Sequence, residues 1–279
     1  MGKTFHSAEI VKTAEGRQYH IGLAPGDVAP FILLCGDTER VEKVARYFNA
    51  ASQPISSREY TTITGSYHGI PVSVMATGMG PDNTEIALVE LSQIVENPTL
   101  IRVGSSGAVK KEINIGDIVI TTGAVRLEST STKFVMEGYP ALAHHEVLLA
   151  LLESASRGKR KFHCGLTATA AGFYGPQGRN TPFFKSLHPN LPEELEKVGV
   201  ANMEMEASAL LTLSTLAGFR AGAVCAIYAQ RHKNKFIDMD TKDSAEKDCI
   251  EIALGAVEII NRMDKLKGES KYWLPGMGI

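Results

Sequence analysis

The stretch ANMEMEASAL (201–210) places two carboxylates, Glu204 and Glu206, one residue apart among methionines and alanines. A buried carboxylate is costly unless it is paired or hydrogen-bonded. In a strand the two would share a face with Met205 opposite. At a strand-to-helix corner they could converge on a pocket and accept hydrogen bonds from vicinal hydroxyls such as a ribose diol. The plainer alternative makes Glu206 a helix N-terminal charge and leaves Glu204 in solvent.

Three further segments carry chemistry. In CGDTERVEK (35–43), Gly36 lets a ligand approach the backbone and Arg40 falls on the opening turn of a helix, whose N-terminus favours anions. Asp37 as an N-cap beside a solvated Arg40 is the alternative. In IRVGSSGAV (101–109), Arg102 interrupts an apolar strand, and Gly104, Ser105, Ser106 and Gly107 read as a following loop able to cradle an oxyanion. Arg102 could equally be a structural ion-pair member. In AGFYGPQGRN (171–180), Phe173 and Tyr174 offer π-faces, and Gln177 and Arg179 offer donors and an amide acceptor. That set suits a flat heterocycle bearing carbonyls and an N–H, although Pro/Gly-rich segments are commonly only loops. Anion cradle, heterocycle clamp and diol acceptor together describe a nucleoside beside an inorganic anion. The reaction they point to is phosphorolysis of a glycosidic bond.

These residues need elements to hold them. FILLC (31–35) reads as a buried strand leading into a helix over 38–48, and 60–77 as a hairpin turned at His68-Gly69. Segments 84–95, 144–156, 206–218 and 244–265 read as helices, and 100–104, 116–127, 165–170 and 221–229 as strands. Strand alternating with helix implies an α/β layered fold whose ligands bind beyond the strand ends. No linker, repeat or composition shift divides the 279 residues, so one domain is expected.

Several function classes drop out. Lys+Arg 29 against Asp+Glu 31 gives a formal charge of −2, a poor match to a nucleic-acid partner. TGMGPDN (77–83) has Asn83 at the third glycine position of a dinucleotide fingerprint, and no GKS or GKT makes a P-loop. The four cysteines (Cys35, Cys164, Cys225, Cys249) show no metal spacing and read as buried free thiols suited to a reducing compartment. Met1–Lys12 lacks the apolar core of a signal peptide, and His6 stands where myristoylation after Gly2 needs Ser or Thr. No apolar run approaches a membrane span. A cytoplasmic location is expected.

From about YHIGLAPGD (19–27) to AIYAQR (226–231), the sequence resembles the type I nucleoside phosphorylases, and its FYxxQxR loop resembles their uridine-cleaving branch. The resemblance implies a three-layer α/β/α domain around a central mixed, partly barrel-like sheet, with residues 1–18 and 268–279 as peripheral tails. It implies phosphorolysis of pyrimidine nucleosides, uridine plus phosphate giving uracil and ribose 1-phosphate. Gly36, Arg40, Arg102 and Ser105 then look like the phosphate site, completed by Arg58 from a neighbouring subunit. His20 matches a histidine crossing the same interface to the ribose 5′-hydroxyl, and Glu204, Met205 and Glu206 match the ribose segment. Phe173, Gln177 and Arg179 match the base-reading group, supported by Arg231. Arg102, Arg179 and Glu206 would carry the chemistry.

The implied assembly is a hexamer of dimers, with phosphate as co-substrate, no required cofactor, and no nucleic-acid or membrane partner. Some members hold a structural monovalent cation at the glutamate matching Glu59, but GMGPDNTE (78–85) departs from the GIGGPS of that helix opening. Tyr228 and Ala229 replace aliphatic residues of the base pocket, and KYWLPGMGI (271–279) has no counterpart. Purine-cleaving relatives carry an aspartate that AIYAQR lacks. A hydrolytic nucleosidase would not need Arg40, Arg58 and Arg102 together. A silent nucleoside-binding protein on the same scaffold is the remaining alternative.

Overall fold

The computed structural model describes residues 7–278. Gly2 and His6, on which the targeting readings rest, lie outside them, as does Ile279. Along the chain run β1 (Phe31–Cys35), α1 (Thr38–Ala45), β2 (Ile55–Ser57), β3 (Tyr60–Tyr67), β4 (Ile70–Ala76), α2 (Pro81–Leu91), β5 (Thr99–Ala108) and β6 (Ile118–Leu127). There follow β7 (Ala141–Leu142), α3 (His145–Arg157), β8 (Phe162–Ala170), α4 (Leu191–Lys197), β9 (Val200–Glu204), α5 (Ala207–Ala217), β10 (Arg220–Gln230), β11 (Lys235–Phe236) and α6 (Met239–Lys267).

Among the described residues all strands join one mixed sheet, ordered β11-β10-β6-β8-β9-β5-β1-β4-β3-β2, with β7 beside β6. Strand β10 also pairs in parallel with β5, from Arg220↔Thr99 to Gln230↔Ala108. That extra pairing closes β5, β10, β6, β8 and β9 into a barrel, while β1, β4, β3 and β2 extend from it as an open wing. The expected mixed, partly barrel-like sheet is therefore present. The hairpin joining β3 to β4 turns at His68 (φ 49°) and Gly69 (φ 80°), the two left-handed positions of a type I′ turn.

The sheet is covered on both faces, which is why its strands read as continuous apolar runs. Leu33 and Cys35 of β1 and Ile101 and Val103 of β5 point into a core shared with α1, α3 and α6. Their neighbours Ile32, Leu34 and Leu100 point into a second core with α2 and α5. Three layers result, and position 102 faces the α2/α5 side by the period-two alternation. The carboxy-terminal segment returns to the first core, where Trp273 is buried. No helix among the described residues is long and apolar enough to cross a membrane.

Two expectations need correction. Gly104–Gly107 is no loop: β5 runs on to Ala108, because β10 pairs with it along that length and β9 joins at Gly107 and Ala108. Between Arg102, where β1 leaves β5, and Gly107, where β9 joins it, one backbone edge has no strand partner, and Ser105 and Ser106 add hydroxyls there. Cys164 is exposed on β8, whereas Cys35, Cys225 and Cys249 are buried.

Candidate active site

Strand and helix ends converge on a cavity of about 460 Å³. Gly36, Asp37, Thr38 and Arg40 reach it from the β1–α1 corner, Glu59, Gly78 and Met79 from the wing, and Arg102, Ser105, Ser106 and Gly107 from β5. Phe173, Gln177 and Arg179 come from the loop after β8, and Met203, Glu204, Met205 and Glu206 from the β9–α5 corner. Tyr228, Ala229, Phe236 and Lys242 close the remaining side. His20, Arg58 and Arg231 do not line the cavity of their own chain.

The carboxylates at the β9–α5 corner have unequal roles. Neither is in solvent: Glu204 is 3% and Glu206 4% exposed. Glu204 accepts from Arg102 Nε (2.9 Å), Thr169 Oγ1 (2.6 Å) and the backbone N–H groups of Glu206 (2.7 Å) and Ala207 (2.9 Å). Three of these donors meet on Oε2 and the fourth on Oε1, so the carboxylate is held on both oxygens from within the chain. Glu204 thus satisfies the first N–H groups of α5, the place at the helix start that the plainer alternative gave to Glu206. Glu206, at the N-cap, instead turns to Arg102 Nη2 (2.5 Å) and accepts from the Gly80 N–H (2.6 Å). Burial pushes the Glu206 carboxyl above its usual range, against the pull of Arg102 and with the help of Glu204.

Arg102 owes its place to Gly104, two residues along the same strand face. A Cβ at 104 would stand 2.8 Å from Cys225 Sγ and 2.9 Å from Arg102 Cζ. Burial works against the Arg102 cation, but Glu206 and Glu204 outweigh it and hold its pKa above the ordinary value. A buried charge so paired is rigid, and it presents its remaining N–H edge to the cavity.

Arg40 does sit on the first turn of α1, which Asp37 caps through the Glu39 N–H, but it is 4% exposed rather than solvated. Its Nε donates to Glu246 of α6, and its Nη1 donates to the Val103 carbonyl (3.1 Å). Lys43 Nζ donates to the other Glu246 oxygen (2.5 Å). Burial disfavours the Arg40 charge, and Glu246 more than compensates. Glu246 escaped the sequence reading. Its signal is phase, since it shares the core-facing stripe of α6 with Cys249, Ile250 and Ala253.

In the loop after β8, Arg179 Nη1 donates to Gln177 Oε1 and to the Phe173 carbonyl, both at 2.5 Å. The guanidinium lies 3.9 Å from the Phe173 ring centroid. Burial and the nearby Arg231 push the Arg179 pKa down to about 10. Arg231 donates to the carbonyls of Gln177 (2.9 Å) and Gly178 (3.3 Å), so it holds the loop from behind.

His20 and Arg58 sit elsewhere. The His20 backbone N–H and ring Nδ1 are both engaged by Glu90, the ring at 2.6 Å. The Arg58 guanidinium lies 5.0 Å from the Tyr19 ring centroid, and Tyr19 stacks edge-on with His20. Arg58, beside Glu59 in the turn between β2 and β3, thus joins Tyr19 and His20 in a cluster outside the cavity, although Glu59 itself lines it.

A family model described as the phosphorylase superfamily matches residues 30–258. The chain belongs to the phosphorylase superfamily. Within the superfamily it is 44% identical over 281 residues to a uridine phosphorylase of Thermococcus kodakarensis, covering 99% of each chain. It is 35% identical to the uridine phosphorylase of Escherichia coli, across 85% of this chain and 96% of that one. A crystal structure of a Trypanosoma brucei nucleoside phosphorylase, described as showing uridine phosphorylase activity, superposes with a TM-score of 0.82 at 27% identity. That alignment covers 88% of this chain and 98% of the other.

Proposed function

We propose that the chain catalyses phosphorolysis of uridine to uracil and ribose 1-phosphate, a pentosyl transfer to phosphate in nucleoside salvage. The observation that carries this reading is the meeting in one cavity of two buried arginines, a carboxylate with spare acceptor capacity and an aromatic–amide–guanidinium loop. Phosphate lies between Arg40 and Arg102, with Gly36 and the Ser105 hydroxyl completing its cradle. Held there below C1′, the nucleophile gains most from positioning. The glycosidic bond breaks towards an oxocarbenium-like ribose whose hydroxyls Glu206 holds over Met205, while Glu204 fixes the corner and Arg102. The bond's electron pair leaves with uracil. Gln177 and Arg179 take the charge that spreads onto its carbonyl oxygens, as an oxyanion hole would, and Phe173 packs on the base.

Arg58 and His20 enter as residues lent to a neighbouring subunit's cavity, within a hexamer of dimers. Their absence from their own cavity and their grouping around Tyr19 support that role. The chemistry calls on no cofactor and no cation at Glu59, which lines the cavity. Unpaired cysteines suit the reducing cytoplasm. The one continuous sheet supports treating residues 1–279 as a single catalytic domain.

Incubation with uridine, with and without phosphate, tests the reading. Uracil release only with phosphate is expected. Release without phosphate would make the protein a nucleosidase, and binding without turnover a silent nucleoside-binding protein.

A further inference from the structure

Tyr228 stands at the anion end of the cavity, although its chain position is that of a base-pocket wall. It lies on β10 beside β5, and its hydroxyl accepts from Arg40 Nη2 at 3.5 Å, the outer limit of a hydrogen bond. With that N–H directed at the oxygen, the phenolic proton points away from the guanidinium. Among the described residues no hydrogen-bond acceptor is found for that proton, and Glu246, whose charge bears on the phenol, is occupied by Arg40 and Lys43. Burial and Glu246 keep the phenol protonated against the pull of Arg40. Arg40 has three of its five N–H groups assigned, to Glu246, Val103 and Tyr228, and two to spare. A hydroxyl with a free proton, beside an arginine with free donors in a half-buried cavity, is a paired donor set for an oxyanion.

We infer that Tyr228 is a phosphate ligand, its hydroxyl donating to the same phosphate oxygen that Arg40 engages. The inference rests on the phosphorolytic reading and adds a contact to it. It gives this chain a neutral donor where an aliphatic wall would offer none. The oxyanion so placed is bridged between α1 and β10, and Glu246 of α6 fixes the arginine that anchors it.

The test is Tyr228→Phe in the full-length protein, which keeps the ring and removes only the hydroxyl. Titration of inorganic phosphate is expected to show affinity weakened about tenfold, the loss of one hydrogen bond to a charged group. The phosphate KM should rise by a similar factor while the uridine KM stays within about twofold. Crystals grown with phosphate should place a phosphate oxygen about 3 Å from the Tyr228 hydroxyl. Unchanged phosphate affinity, a shift confined to the uridine KM, or a phosphate well beyond hydrogen-bond reach would each overturn the inference. Phosphate binding is measured without turnover. A wild-type protein that binds phosphate but leaves uridine intact would therefore sink the phosphorolytic reading alone. A wild-type protein that binds no phosphate would sink both.

Discussion

Glu204 and Glu206 are neighbours in sequence and opposites in role, and the difference lies in what is left unsatisfied. Glu204 takes four donors inside the chain, three on Oε2 from Arg102 and the N–H groups of Glu206 and Ala207, and one on Oε1 from Thr169. Glu206 keeps capacity that faces the cavity, and burial already disfavours its charge. Glu204→Gln puts an amide N–H₂ against donors and should cost about 3 kcal/mol of stability, as removal of one member of a buried ion pair does. Glu206→Gln should cost about 1 kcal/mol while lowering kcat/KM for uridine about a hundredfold. Denaturant unfolding and steady-state kinetics of the two variants separate these outcomes. Equal stability losses would contradict the division of labour. Residue types alone singled out both glutamates, Arg40, Arg102 and the Phe173–Arg179 loop, because charge inside an apolar run is visible in sequence. Which carboxylate caps α5 was not visible, since it depends on Thr169 and Arg102, 35 and 102 residues away in the chain.

At the scale of elements, the long apolar strands and the His68-Gly69 hairpin were legible because burial on both faces and left-handed turns leave local marks. The short pieces β2, β7, β9, β11 and α4 were not, since a few residues carry no period of their own and pairing partners create them. Strand β5 was read as ending at Gly104 because Gly-Ser-Ser-Gly resembles a loop. Continuous pairing with β10, joined by β9 at Gly107 and Ala108, overrides that propensity.

The start of α3 makes a pH prediction. His144 caps the helix, accepting from the Glu146 N–H at 3.3 Å, and burial together with His145 pushes its pKa from 6.5 down to about 4. Burial would raise Glu146, but the Trp273 N–H, Lys267 and Arg220 hold it down to about 2 from 4.5. Both groups bind protons more readily unfolded. The His144 contribution is therefore complete above pH 6.5 and lost towards pH 4; that of Glu146 is complete above pH 4.5 and lost towards pH 2. Melting temperature should fall through both windows. His144→Asn, which keeps a cap without titrating, should flatten the upper one in melts monitored by circular dichroism. An unaltered slope between pH 6.5 and 4 would remove His144 as its source.

At the scale of the whole molecule, the proposed lending of Arg58 to a neighbour's cavity predicts complementation. Arg58→Ala and Arg179→Ala should each be nearly inactive alone. Random mixing after dissociation and reassembly should restore about a quarter of wild-type activity, because half the dimers are mixed and one site in each is intact. If Arg58 acted within its own subunit, the mixture would stay dead. Arg58 also sits at φ 55°, the first of the two residues between β2 and β3, where a hairpin of this kind favours glycine. Holding a side chain in that left-handed region costs about 1 kcal/mol. Heat selection that ignored activity would therefore be expected to replace Arg58 with glycine, and, if Arg58 serves a neighbour's phosphate as proposed, the more robust descendants would no longer turn over nucleoside.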